Sequence, residues 1–201
     1  MGNPVVAFVQ SVLADYGSVQ RYRGKYHQEK VPRARLPLDA VRKMGFQMLL
    51  VTRFMRLMRD AHVPLGPQVV SRLIRHLYAA EIHWDTEIAD GISVVHGNGL
   101  VLSHRATVGP GCILFHNVTL GEGLDPDTRE AGAPTLERDV HVGPGATLIG
   151  PIRVGRGTKI MAGVVLTRSV PPNSIVRSPE PEVAVRATST GPAPSEPDTL
   201  H

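Results

Sequence analysis

From Ile82 onward, aliphatic residues return every six positions: Ile82, Ile88, Val94 and Leu100, then Leu102, Val108, Leu114 and Leu120, then Leu136, Val142, Leu148, Val154, Ile160 and Leu166. Four places after many of these stand small or β-branched residues, namely Thr86, Ile92, Ala106, Cys112, Val118, Val140, Ala146, Ile152, Thr158 and Val164. A period of six fits neither the period of about 3.6 of a helix nor the alternation of a hairpin array. Three short strands per turn, closing a triangular coil with both residue sets pointing inward, satisfy it. Gly-rich corners such as Gly143-Pro144-Gly145 supply the turns. The expected fold class is mainly β, a left-handed parallel β-helix of hexapeptide repeats with roughly five coils between Ile82 and Val170, preceded by an α-helical region.

The register breaks twice, and breaks in a monotonous solenoid are where it can carry chemistry. Two extra residues enter at His96-Gly97-Asn98-Gly99, and the polar stretch from Gly121 to Ala133 reads as a loop thrown out of the coil. Residues 1–80 read as helical, with Pro32 and Pro37 separating two segments and Pro64 and Pro67 marking a further turn. The segment Met44 to Met58 is amphipathic at helical spacing, and its Met-rich face reads as packing surface, a cap on the first coil or an oligomer contact. The division is a helical region over 1–80, a β-helix over 81–177 with loop 121–135, and a disordered tail over 178–201 rich in Pro, Ser, Glu and Thr.

Composition narrows the partners. The single cysteine, Cys112, forms no intramolecular bridge, and neither a leader pattern nor an apolar run of membrane length stands in the sequence, so a cytoplasmic protein without membrane contact is expected. A net charge of +4 and a pI near 9.6 come without aromatic interleaving or a known binding module, which favours a small polyanionic ligand over nucleic acid. Aromatic residues make up only 4% of the chain against 20 Gly and 17 Pro, which argues for a turn-dominated architecture.

His96 stands at the first register break, and Glu81 precedes it by fifteen residues, which in an eighteen-residue coil makes the two neighbours. A carboxylate bonded to one imidazole nitrogen fixes the tautomer and leaves the other nitrogen to take a proton from an attacking hydroxyl or amine. A corner histidine capping backbone carbonyls is the other reading of that spacing. Cys112 falls at an inward repeat position, which argues against a nucleophile. His104, His116 and His141 lack metal-type spacing and read as exposed corner residues; no metal site is expected.

Glu81-Ile82-His83, the run Asp90 to Gly99 (DGISVVHGNG) and Asn117-Val118-Thr119-Leu120-Gly121 resemble the serine O-acetyltransferase family of hexapeptide-repeat acyltransferases, and the similarity covers about residues 45–170. The resemblance implies an acetyl-CoA-dependent acetyltransferase with His96 as catalytic base and Glu81, where the best-known members have Asp, as its partner. It implies direct attack of the acceptor on the thioester, with backbone N–H groups near Gly121 stabilising the oxyanion. It places CoA in a groove between coils of adjacent subunits, beside Pro144, Gly145, Ala162 and Gly163. Arg153, Arg156, Lys159, Arg168 and Arg177 add positive charge suited to the phosphates, of which Lys159 and Arg168 are the cofactor-site candidates.

The departures fall on the acceptor. Val95 stands where the family has an Asp before the catalytic His, Lys30 stands near the other amine-binding position with Glu29 beside it, and Gly132-Ala133 precede Pro134 in place of Arg-His. The acceptor-binding candidates are therefore Glu29, Val95 and Arg129, the last substituting only if the loop refolds. An ammonium group facing Val95 loses a charge-assisted hydrogen bond worth roughly 1.5–3 kcal/mol, which puts serine itself in question. Ser178-Pro179-Glu180-Pro181 replaces the family's Gly-containing tail. The helical region is shorter than in long members, so a homotrimer is expected in preference to a dimer of trimers. The alternatives are an acetyltransferase for a sugar or antibiotic-type metabolite, a non-catalytic β-helix scaffold, and a metal-dependent γ-type carbonic anhydrase, whose three-histidine arrangement the sequence lacks.

Overall fold

The computed structural model describes residues 3–28, 32–125, 127–182 and 184. Glu29 and most of the tail expected to be disordered lie outside the described residues. The described part of that tail, residues 178–182 and 184, is exposed and carries no regular secondary structure.

Helix α1 (Pro4–His27) begins at Asn3, whose Oδ1 accepts the Val5 N–H at 2.9 Å, with Pro4 in the first turn where no backbone donor is needed. A 3₁₀ turn (Arg33–Arg35) leads into α2 (Leu36–Arg42), then α3 (Met44–Asp60) and α4 (Gly66–Tyr78). The Met-rich helix α3 buries Met48 and Met55, packing on α1, on α4 and on the strand Ser93–Val95. That is the cap on the first coil expected from its spacing.

The remainder is a three-sided solenoid of parallel strands. Face A stacks Glu81–Ile82, Val101–Leu102, Thr119–Gly121, Thr147–Ile149 and Val165–Leu166. Face B stacks Glu87–Ile88, Thr107–Val108, Thr135–Leu136 and Arg153–Val154, and face C stacks Ser93–Val95, Ile113–Phe115, His141–Val142, Lys159–Ile160 and Ile175–Val176. Both inward sets read from the period are buried, with Val108, Cys112, Leu114, Val118, Leu120 and Ala146 all at 0% exposure. Leu100 is reassigned by the ladder: Val101 pairs with Thr119 and Leu102 with Leu120, so Leu100 belongs with Val118 in the small-residue column. It fills that position because the two-residue insertion lies just before it.

Register records each irregularity. Glu81 pairs with Val101 and Ser93 with Ile113, two residues more than the plain repeat seen where Thr135 pairs with Arg153. Thr107 pairs with Thr135, the ten-residue excess being the loop, which forms an antiparallel hairpin of Gly123–Leu124 with Ala131–Gly132. The last coil is two residues short, since Lys159 pairs with Ile175.

One buried ion pair joins the helices to the solenoid. Arg53 of α3, 2% exposed, donates from Nε and Nη2 to the Asp15 carboxylate of α1 at 2.7 and 3.0 Å, and Asp15 is fully buried. The remaining guanidinium donors reach the carbonyls of Ile88 and Ala89 at 2.7 Å each. Asp15 Oδ1 also accepts the Gly91 and Ile92 N–H groups at 2.8 and 3.3 Å. Removing one partner strands a buried charge, at about 3–5 kcal/mol. Arg53→Met is therefore expected to lower the thermal unfolding midpoint by roughly 6 °C or more, a chain of this size losing about 2–4 °C per kcal/mol. A midpoint unmoved in calorimetry would show that the pair does not hold the two layers together.

Candidate active site

The inserted corner puts His96 in an unusual backbone conformation. His96, Gly97 and Gly99 have φ of +67°, +85° and +67°, and a left-handed histidine costs energy that glycine avoids. The corner is also crowded from outside. A Cβ on Gly45, in the first turn of α3, would lie 2.0 Å from the Val94 carbonyl oxygen, and one on Gly97 would lie 2.3 Å from Met48 Sδ. These two glycines let α3 sit directly on the strand that ends in His96.

The seam leaves a cavity of about 550 Å³ whose wall includes Val19, Tyr22, Arg23 and His27 from α1, Arg42 from α2, Lys43 and the first turn of α3, and Ser93, Val94, Val95, His96 and Phe115 from the solenoid. Asp39 stands behind it, 4% exposed, accepting from Tyr16 Oη at 2.9 Å and Arg23 Nη1 at 3.2 Å. His96 is exposed at the cavity rim, and its ring meets His116 edge-on at 5.7 Å between centroids. His116 is half-buried, and its Nδ1 is buried without a hydrogen-bond partner among the described residues.

The same corner belongs to a column along the edge between faces C and A. Gly99 N–H donates to the Tyr78 carbonyl at 3.3 Å, Asn117 to Asn98 at 2.9 Å, Gly145 to His116 at 3.0 Å and Gly163 to Pro144 at 2.9 Å. His96 thus shares an edge with Pro144-Gly145 and Ala162-Gly163, and Lys159 opens the strand that runs into it. Space outside Gly163 is open, a Cβ there meeting nothing within 4 Å.

The other candidates are distributed differently. Glu81 opens face A just past this edge, its N–H bonded to the Leu100 carbonyl at 2.8 Å. The expected hydrogen bond to His96 is not made; Glu81 Oε1 instead lies 2.6 Å from Arg75 Nη2, both side chains being more than half exposed. Gly121 closes its strand at the far end of face A, and Arg168 follows the last face A strand, so both stand at the edge between faces A and B. Neither meets the His96 corner within one protomer, because a three-residue strand crosses the full face. Arg129 lies in the exposed hairpin tip at φ +62°, its N–H bonded to the Asp125 carbonyl at 3.0 Å.

Two histidine expectations need correction. His116 and His141 are half-buried, and His141 is a strand residue within 3.3 Å of Tyr26 Oη. Burial, with Lys25 and Lys159 nearby, pushes His141 below the usual imidazole range. Cys112 is inert: burial pushes its thiol up to about 12, and Sγ lies 3.0 Å from the Glu137 carbonyl. Tyr22, Arg23, Arg42 and Lys43 had not been singled out, although the adjacent pair Arg42-Lys43 just ahead of the Met-rich helix was a visible signal. No helix among the described residues is long and apolar enough to cross a membrane.

A scan against protein-family models finds no match. Serine acetyltransferase of Synechococcus elongatus (strain ATCC 33912 / PCC 7942 / FACHB-805) is 36% identical over 151 residues, 74% of this chain and 60% of the relative. Serine acetyltransferase of Synechocystis sp. (strain ATCC 27184 / PCC 6803 / Kazusa) is 36% identical over 129 residues, 63% of this chain and 50% of the relative. The chain thus spans between half and three fifths of these relatives' length. Among solved structures, serine acetyltransferase isoform 3 of Entamoeba histolytica in complex with cysteine superposes with a TM-score of 0.74 at 22% identity, over 91% of this chain and 62% of that one. The Neisseria gonorrhoeae enzyme in complex with serine gives 0.72 at 22% identity, over 86% and 67%. The structures share the fold, and with the sequence relatives they make this chain a member of the serine O-acetyltransferase family of hexapeptide-repeat proteins.

Proposed function

We propose that the chain is an acetyl-CoA-dependent O-acetyltransferase acting on a small hydroxyl acceptor, with His96 as general base. The observation that carries this reading is the position of His96, which borders both the cavity under α3 and the edge column of Pro144, Gly145, Ala162 and Gly163. An acceptor held in the cavity and a thioester laid along the open edge would meet at its imidazole. One ring nitrogen takes the hydroxyl proton as the acceptor oxygen bonds to the thioester carbonyl carbon. The carbon–sulfur bond then breaks, and the imidazolium returns the proton to the departing thiolate. No acyl-enzyme is required, and the protonated, buried Cys112 thiol would not form one.

Glu81 acts in this reading by holding the imidazolium, which requires it to leave Arg75. That exchange is inexpensive. The exposed pair given up is worth about 0–1 kcal/mol, so releasing Arg75 costs little. The reading also includes a homotrimer, since Gly121, Arg168 and the loop with Arg129 stand at the A/B edge and would reach a C/A edge only on another copy. Val165, 70% exposed, follows Val101, Thr119 and Thr147 along the outward side of face A, which begins with the charged Glu81, and favours burial of the later coils of that face.

His96→Ala is expected to cut acetyl transfer by at least about a hundredfold, read as thiol release from acetyl-CoA, while CoA binding persists. Full turnover in that variant would refute the assignment. Glu81→Ala should lower kcat by roughly tenfold, the loss of one such hydrogen bond, and Arg75→Ala should leave it within about a factor of two; equal losses in both would instead make the ion pair structural. Light scattering should return three times the 21.7 kDa chain mass, and a monomeric active protein would exclude shared edges.

A further inference from the structure

His116 stands one coil beyond His96 on the same edge. Val95 pairs with Phe115, so the two histidines that follow these strands occupy equivalent corners, and their rings meet edge-on at 5.7 Å between centroids. Phe115 lines the cavity under α3 and His116 does not, which leaves His116 on the side of the open edge. There its carbonyl accepts the Gly145 N–H at 3.0 Å, and the Asn117 N–H donates to the Asn98 carbonyl at 2.9 Å, so the corner is tied to the coils on both sides. A Cβ on Gly99 would lie 2.0 Å from Asn117 Oδ1, so the two corners are also packed on each other.

The hydrogen-bonding capacity of the His116 ring is unspent. Nδ1 is buried without a partner among the described residues, which leaves Nε2 as the open nitrogen. A neutral imidazole carries one N–H. On Nδ1 that hydrogen would be a buried donor with no acceptor, so it belongs on Nε2. The side chain makes no hydrogen bond or ion pair among the described residues that would take it up.

Resting on the acetyltransferase reading above, we propose that His116 is a further catalytic residue, whose Nε2–H donates to the thioester carbonyl oxygen and stabilises the charge it gains as the acceptor attacks. His96 and His116 then bracket the reacting carbon, the base on the attacking oxygen and the donor on the carbonyl oxygen. Hydrogen bonds of about 2.7–3.1 Å to two oxygens of one tetrahedral carbon set base and donor roughly 5–7 Å apart, and the ring centroids are 5.7 Å apart. The carbonyl π pair moves onto the oxygen facing Nε2 and returns as the carbon–sulfur bond breaks, while the His116 proton stays where it is. Gly121 stands at the A/B edge, away from this corner within one protomer, so His116 is a donor that a single chain supplies beside its own base.

The carbonyl is read directly, without an acceptor, by difference infrared spectroscopy of the full chain with acetyl-CoA isotope-labelled at the thioester carbonyl. In the native protein its band is expected at lower frequency than in free acetyl-CoA. His116→Leu should lose most of that displacement, and His116→Gln, which keeps an N–H donor, should retain it, with acetyl-CoA affinity and unfolding midpoint unchanged in both. With serine as acceptor, His116→Leu should cut kcat by about a hundredfold while KM for acetyl-CoA stays within about twofold, and His116→Gln should recover most of the loss. If serine does not turn over, the infrared result alone decides. A band indifferent to His116→Leu, a band lost equally in His116→Gln, or a fall in kcat that comes with a lowered midpoint would each overturn the proposal, the last making His116 structural. Native protein that binds no acetyl-CoA would sink the acetyltransferase reading and this one with it. A His116-dependent band beside a fully active His96→Ala would sink the base assignment and leave the donor standing.

Discussion

The helical layer is held in register on the solenoid by an ion pair taken out of water, beside the apolar packing of Met48, Leu49, Met55 and Ile74. Arg53 and Asp15 satisfy each other through two hydrogen bonds and spend their remaining capacity on the backbone of the first coil, at Ile88, Ala89, Gly91 and Ile92. An ion pair so deeply buried need not stabilise more than apolar side chains of the same volume would. Its effect is on position, because every donor and acceptor has one partner geometry and sliding α1 or α3 would strand a charge. Apolar contacts alone tolerate such sliding far better. The helical part of the cavity wall is placed with this lock, since α1 carries Tyr22 and Arg23, and Lys43 caps α3 at its start.

The solenoid contributes a different kind of order. Each coil repeats the same inward pair of positions, so an edge is a straight column of equivalent corners, and a residue's function follows from the column it falls in. Between faces C and A that column is built from Gly99, Asn117, Gly145 and Gly163, all at positive φ. The two extra residues at His96 push one side chain out of an otherwise regular edge, and the glycines Gly45 and Gly97 allow α3 to close over it. A site at a break in a repeat is economical in this sense: the rigid coils hold the histidine, and the non-repeating helices shape what stands opposite.

Membership of an acetyltransferase family leaves the acceptor to be decided by the surroundings of His96. The groups proposed for acetyl transfer, His96 and the small corner residues, lie in the repeat. The groups that would select the acceptor lie in the helices, the loop and the end of the strand at Val95. Selectivity arises from polar groups left paired or unpaired by a given acceptor.

The period of six was readable because it is local: each anchor is fixed by residues within one coil, and Leu114, Leu120 and Val142 are buried as that period requires. The insertion at His96 and the loop after Gly121 were legible for the same reason, as interruptions of a count. Leu100 was misassigned because the insertion shifted the count by two just before it. Other features depended on where distant elements meet. The periodicity does not say that Arg42 and Lys43 stand opposite His96, because that depends on how α3 is rotated against face C, which the Asp15–Arg53 lock sets across 38 residues of sequence. Nor does spacing assign Glu81 to Arg75, since the exposed carboxylate chooses among neighbours by side-chain reach. Gly121 and Arg168 follow the same logic: the repeat puts each on a strand, but only the closed prism decides which edge a strand's end lies on.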